Sequence, residues 1–285
     1  MSNDTTHTAR PRRSALFTPA DDAEMLQKAV GTDADAFIFD LEDAVHPSRR
    51  ETARENLREH VPNLDVNREV AVRVNGWGTE DFASDLETAV EAGADAVALP
   101  MVDSGRDIRE TWRELTALTD DPPRLRATVE TPTGMHAGTD IAAACRETGV
   151  ESLGFGFADY CKAVGSPGTP DRIRKRLELL TVEYAAMGGV DPVASVHLDI
   201  GDEAGLRRVA ERARETGFVG MTAIHPAQVS VINEAFTPPP DEVTQARRLV
   251  ESFDASERDS LEVESVFLDT ATVDRYRRLL ERAPE

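Results

Sequence analysis

Apolar runs of strand length alternate with stretches of helical character through most of this chain, and that alternation constrains the fold more than any other feature. SALFTP, AFIFD, EVAVRV, DAVALP, LRATVE, ESLGFGF, PVASV and FVGMTAI are each followed by a helical segment such as SRRETARENLREH or DRIRKRLELLTVEYAAMGG. Strands that alternate with helices pair in parallel, because the chain needs a long crossover to begin the next strand in the same direction. AFIFD is apolar at every position but its last, as a strand covered on both faces must be. Eight such units predict a (β/α)₈ barrel of the TIM type. A doubly wound open sheet is the alternative, but no Gly-x-Gly-x-x-Gly turn follows the first strand, so its dinucleotide-binding form has little support. The 285 residues suffice for one large barrel or two small domains, and the single barrel is preferred.

Residues 1–11 read as a flexible lead-in to a barrel that extends to 236. The proline-rich TPPPDE then breaks the pattern. Residues 237–285 read as a C-terminal extension of helix, short strand and helix, carried by DEVTQARRLVESFD, LEVESVFL and TATVDRYRRLLERA. Lying outside the barrel count, this extension is expected to pack on the mouth of its own barrel or of a neighbour's.

In a barrel, the C-terminal ends of all strands meet at one rim, so charged residues that follow different strands converge there. Asp40, Glu42 and Asp43 follow the second strand, Arg73 closes the third, Glu130 and Asp159 follow the fifth and sixth, and His225 follows the eighth. Three acids within four residues are costly to crowd together unless a cation or a hydrogen-bond network absorbs them, although capping and turn formation around Pro47 also use acids. Glu130 and Asp159, emerging at one rim, suit a hard Mg²⁺ ion that keeps waters and accepts oxygens from an anionic substrate. A helix cap and a polar turn are their plainer readings. Arg73, in VRVNGWG, has an apolar residue on either side and so must meet the acid cluster or an anionic ligand. His225, in AIHPAQ, is a helix-entry residue or a ligand-facing one. Gly156, in GFGF, lets backbone approach a ligand or lets strands pack tightly. Asp274, near the start of the last helix, complements the helix dipole unless the extension carries it to a barrel mouth.

Acids outnumber bases by 53 to 32, a net charge of −21, which disfavours nucleic acid and anionic membranes as partners. The bases are almost all arginine, with lysine only at Lys28, Lys162 and Lys175. Because the acids are spread through the helices, they read as a solvated surface suited to high salt, and a halophilic origin is expected. Cys145 and Cys161 have neither metal-ligand spacing nor a disulfide framework, and no apolar run has the length of a membrane span. A soluble, cytoplasmic protein is expected.

The segments RRSALFTPADD, FIFDLEDAVHPSRRETAREN, VRVNGWG, AVALPMVDS, VETPTG, GFGFADY, GFVGMTAIHPAQVSVINEAFTPPPDEVTQARRL and VFLDTATVD resemble the citrate lyase β-subunit-like family, whose members include malyl-CoA, β-methylmalyl-CoA and citramalyl-CoA lyases. The resemblance runs from Arg12 to the final helix. It implies a TIM barrel, Mg²⁺ (or Mn²⁺) on Glu130 and Asp159, and substrate binding by Arg73. It further implies a CoA thioester and a small 2-oxo acid as substrates, and a catalytic acid at Asp274 delivered by an adjacent subunit of a homo-oligomer, a trimer or hexamer. GFADY is closest to the malyl-CoA lyase branch. Within that scheme Glu42 and Asp43 orient Arg73 or metal-bound water, Asp40, Gly156 and His225 border the substrate, and Arg12 and Arg13 could meet the CoA phosphates. Thioester hydrolysis on the same scaffold and a citrate lyase subunit acting on acyl carrier protein are the alternative activities.

Overall fold

The computed structural model describes residues 12–256, 258–281 and 283, so the lead-in expected at 1–11 lies outside the described residues. The chain divides between Asn233 and Glu234, ahead of the break expected after 236. The first unit is a closed barrel of eight parallel strands in sequence order: β1 (Ser14–Pro19), β2 (Ala36–Asp40), β3 (Glu69–Arg73), β4 (Ala96–Leu99), β5 (Arg124–Val129), β6 (Val150–Phe155), β7 (Asp191–Ala194) and β8 (Gly220–Ala223). β8 returns to pair with β1, with Ser14 opposite Met221, and no sheet edge is left. The crossovers are α1 (Ala23–Val30), α2 (Arg50–His60), α3 (Phe82–Glu91), α4 (Gly105–Leu118), the broken pair α5 (Pro132–His136) and α6 (Gly138–Glu147), α7 (Phe157–Ala163) with α8 (Asp171–Gly188), and α9 (Glu203–Thr216). Their ends follow local chemistry: Asp22 caps α1, Ser104 and Asp107 form a capping box on α4, and Gly217 ends α9 in the left-handed region.

Two features of the barrel interior position the site. Its inner layers are built largely from small side chains, Ala15, Ala36, Ala71, Ala96 and Ala98, with Ile38 and Phe17. Bulky branched residues usually fill these layers; here a cavity of about 150 Å³ reaches from the C-terminal rim into the barrel. Its floor lies toward the N-terminal ends of the strands, where Arg12 and Arg126 alternate with Glu69 and Glu151 in a closed ring of ion pairs. Each charge there has two opposite neighbours, and the cavity extends from this ring to Glu130 and Asp159 at the C-terminal ends of the strands.

The second unit contains α11 (Pro240–Asp254), β9 (Ser260–Val263), β10 (Val266–Asp269) and α12 (Thr270–Glu281), and α10 (Val229–Phe236) precedes it across the division. The single short strand expected from LEVESVFL is instead an antiparallel hairpin, with Val263 opposite Val266. Glu264 and Ser265 form its two-residue turn, both at positive φ, 52° and 65°. That is the pattern of a type I′ turn, whose twist matches the strands it joins.

Candidate active site

Arg73 and Asp40 are the last residues of β3 and β2 and stand opposite each other in the parallel register. Arg73 Nε and Nη2 donate to the two Asp40 carboxylate oxygens, each at 2.6 Å, and its Nη1 lies 2.9 Å from Glu42 Oε2. The guanidinium sits 4.8 Å from the centre of the Phe17 ring. Burial works against its charge, but the hydrogen bonds and charge of Asp40 outweigh burial and raise its pKa. Asp40 also accepts the N–H groups of Glu42 and Ala44 at 2.9 Å, and its side chain is 1% exposed. Where a substrate contact was expected of Asp40, the structure places its oxygens on the β2 loop and on Arg73.

Glu130, just after β5, is 6% exposed, and its Oε1 accepts the Met101 N–H at 2.7 Å. Met101 holds that N–H in place from a positive φ of 55°, a conformation costly for a side-chain-bearing residue and often found at functional sites. The other oxygen lies against Gly156, where a Cβ would come within 2.0 Å of Glu130 Oε2. Gly156 is therefore bare to admit the Glu130 carboxylate. Asp159, in α7, lines the same cavity as Glu130 and Arg73. Burial pushes the Glu130 carboxyl up to about 7; the Met101 N–H opposes this and the charge of Asp159 adds to it. Glu42 is pushed up to about 8 by burial, against the pull of Arg73 and with the repulsion of Asp43.

These shifts describe a rim with more negative charge than its protein partners neutralise. Asp40, Glu42, Asp43, Glu130 and Asp159 all act on the neighbourhood of Arg73, which already serves Asp40 and Glu42. Buried Glu42 Oε2 has an ion-pair contact but no aligned hydrogen bond. No group of three or more His, Cys, Asp or Glu side chains forms a ready metal cage among the described residues. Two hard carboxylates on an otherwise open cavity nevertheless fit Mg²⁺, which prefers one or two protein carboxylates with waters and substrate oxygens completing its shell. Glu130 and Asp159 are the residues that would hold it.

His225, Arg13 and Arg12 fall away from this cluster. His225 follows β8 and is exposed, and its Nδ1 accepts the Ala227 N–H at 3.2 Å, so it caps the short turn at Pro226–Gln228. Arg13 stands at the opposite end of the barrel, where its Nε and Nη2 bond Asp35 at 2.9 Å, and Arg12 belongs to the floor ring. Neither is brought to the rim. Asp43 is exposed beside the acidic cluster, and Asp274 lies in the second unit, 2.8 Å from Arg277 Nη1. Sequence reading missed a clamp behind Arg73. Asn75 donates from Nδ2 to the Leu41 carbonyl at 3.0 Å and, from its backbone N–H and Nδ2, to Asp85 Oδ2, while Arg54 Nε holds Asp85 Oδ1 at 2.8 Å. Asn75 lies in the same VRVN motif as Arg73, and Asp85 is a carboxylate on the buried face of α3, the one signal that could have exposed it.

A closed parallel barrel whose strand ends gather a half-buried arginine and a cluster of carboxylates around an open cavity defines a (β/α)₈ enzyme. Residues 13–226 match the family described as HpcH/HpaI aldolase/citrate lyase, and the chain belongs to that family. It is 40% identical over 254 residues to the (3S)-malyl-CoA thioesterase of Cereibacter sphaeroides, covering 88% of this chain and 86% of the relative. To the citrate lyase subunit beta of Escherichia coli it is 31% identical over 287 residues, 96% of this chain and 94% of the other. Among solved structures it resembles the protein CitE of Mycobacterium tuberculosis in complex with magnesium, acetoacetate and coenzyme A. That likeness has a TM-score of 0.80 and 30% identity, and it covers 97% of this chain and all of that one. No helix among the described residues is long and apolar enough to cross a membrane.

Proposed function

We propose that this enzyme is a Mg²⁺-dependent lyase that reversibly cleaves a carbon–carbon bond in a 3-hydroxyacyl-CoA such as malyl-CoA or β-methylmalyl-CoA, giving glyoxylate and acetyl-CoA or propionyl-CoA. The observation that carries the reading is the cavity on which Glu130, Asp159 and Arg73 all open. A bound Mg²⁺ supplies Lewis acidity and a fixed point for a substrate carboxylate and the neighbouring oxygen. Glu130 and Asp159 would hold that ion and, through it, orient that end of the substrate. When the substrate hydroxyl gives its proton to solvent, the adjacent carbon–carbon bond breaks. Its electron pair passes into the thioester as an enolate, and the former hydroxyl carbon becomes the carbonyl of the 2-oxo acid. Arg73, kept charged by Asp40 and held by Glu42, is suited to receive the enolate oxygen. Protonation of the enolate carbon completes the acyl-CoA. Asp274 is the acid assigned to that step, brought by the C-terminal unit of a neighbouring copy in a homo-oligomer, and it removes the same proton in the condensation direction.

The likeness to a malyl-CoA thioesterase favours a second reading, in which water then splits the thioester and malate is the product. The test is to incubate the purified protein with Mg²⁺, glyoxylate and either acetyl-CoA or propionyl-CoA, and to follow products by mass. Malyl-CoA or β-methylmalyl-CoA accumulating, and cleaving again when supplied alone, supports the lyase. Supplied with malyl-CoA alone, release of malate and free CoA without glyoxylate supports the thioesterase. Glu130→Ala is expected to lower turnover at least 1000-fold with an unchanged circular dichroism spectrum; retained turnover would remove the metal assignment.

A further inference from the structure

The wall that carries Asp159 is held from behind by a buried arginine. Arg174, in the first turn of α8, is 5% exposed. Its Nη1 and Nη2 donate to the carbonyls of Ser195, at 3.3 Å, and Val196, at 2.7 Å, just past β7. Its guanidinium carbon lies 4.1 Å from the centre of the Phe157 ring. Phe157 opens α7 two residues before Asp159, and its N–H donates to Ser195 Oγ at 3.2 Å. One planar group thus ties the exit of β7 to the first turn of α7, and a lysine could not offer both the paired donors and the stacking face.

This arrangement is expensive if packing is its only purpose. No carboxylate hydrogen-bonds Arg174 among the described residues, and Glu178, the opposite charge that acts on it most, is bonded instead by Arg212 at 3.0 and 3.1 Å. Burial, only partly offset by Glu178, pulls the guanidinium down to about 10. An apolar side chain would fill the same space without desolvating a charge. Phe157, Asp159, Ser195 and Val196 all line the cavity, so the segments Arg174 joins are the ones that form its wall.

We propose that Arg174 is the positioning residue for Asp159, fixing the first turn of α7 so that the carboxylate is held toward Glu130 for a divalent cation. The proposal rests on the Mg²⁺ reading above. It is tested by titrating Mg²⁺ calorimetrically into the purified full-length wild type and the variants R174K, R174M and F157L. Circular dichroism and oligomeric size are followed alongside, and turnover is measured as a function of Mg²⁺. In folded R174M and F157L, Mg²⁺ binding is expected to weaken at least about tenfold, as when partners of metal-holding groups are removed. R174K should fall between them and the wild type, and saturating Mg²⁺ should recover most of kcat in all three. If R174M does not fold, R174K and F157L carry the test. Mg²⁺ affinities within twofold of wild type in both R174K and F157L would overturn the proposal. A wild type that takes up no Mg²⁺ would instead bring down the metal reading itself, and this assignment with it.

Discussion

Glu130 is a carboxylate that its surroundings make reluctant to ionise, and this gives the site a pH dependence of definite sign. Its proton leaves only near pH 7, because burial and then Asp159 oppose the charge, with the Met101 N–H working the other way. A cation must displace that proton, so Mg²⁺ affinity is expected to rise roughly tenfold between pH 6 and pH 8. Titration calorimetry across this range checks it, and Glu130→Gln should abolish the dependence along with most of the binding. An affinity that is flat with pH would mean that Glu130 is not a ligand. Stability without metal moves the opposite way. A carboxyl raised in the folded state stabilises the fold fully below its unfolded value, near 4.5, and this contribution is lost as pH rises through about 7. Mg²⁺ should therefore protect most at pH 8. Glu130, Arg73 and Asp159 could be found in the sequence because each lies at or just after a strand end, where barrel topology alone gives an address. The pairing of Arg73 with the acid cluster was legible too, whereas the work of Gly156 was not, since it depends on which side chain lies across from it. Asp40 faces Arg73 from the neighbouring strand, and Gly156 makes room for an oxygen of Glu130.

The same distinction between local and relational signals holds for whole elements. The barrel strands were legible because short apolar runs, unbroken in AFIFD and alternating in RLRATV, recur between helical segments, and the helices because capping residues such as Asp22, Ser104 and Asp202 mark their starts. The β9–β10 hairpin was not, because its turn lacks the residues such turns favour. Asn-Gly or Asp-Gly relieves the positive φ that both central positions require, whereas Glu264 and Ser265 each carry a Cβ into that region. The cost is about 1 kcal/mol per residue. Replacing both, E264N with S265G, is thus expected to stabilise the second unit by roughly 1 kcal/mol. Hydrogen exchange at the amides of Ser260–Asp269 is the direct measurement, and slower exchange is the expected result. Unchanged or faster exchange would mean that the Glu264 contact with Arg248, at 3.3 Å, holds the turn more firmly than its backbone opposes it.

At the scale of the whole molecule the controlling quantity is a net charge of −21. Salt acts on it in two opposing ways. It weakens surface ion pairs such as Arg58–Glu91 and Arg109–Glu147, each made at 2.6 Å by partly exposed side chains, and each such pair contributes about 0–1 kcal/mol. It also screens the repulsion among unmatched acids, which acts over the whole surface and grows faster than linearly with net charge. With 53 acids against 32 bases the second effect should win. The pairs that hold the interior, those of Arg54 with Asp85 and Arg73 with Asp40, each rest on a buried carboxylate and respond little to ionic strength. Since the Debye length falls from about 10 Å at 0.1 M to about 3 Å at 1 M, most of the gain should come within that interval. The melting temperature is therefore expected to rise by several degrees between 0.1 and 1 M KCl and then to level off. A matched series in sucrose separates screening from general exclusion of solute at the surface. A melting temperature that stays level or falls as KCl is added would show that the acids are already balanced locally, and would remove the argument for a chain adapted to high salt.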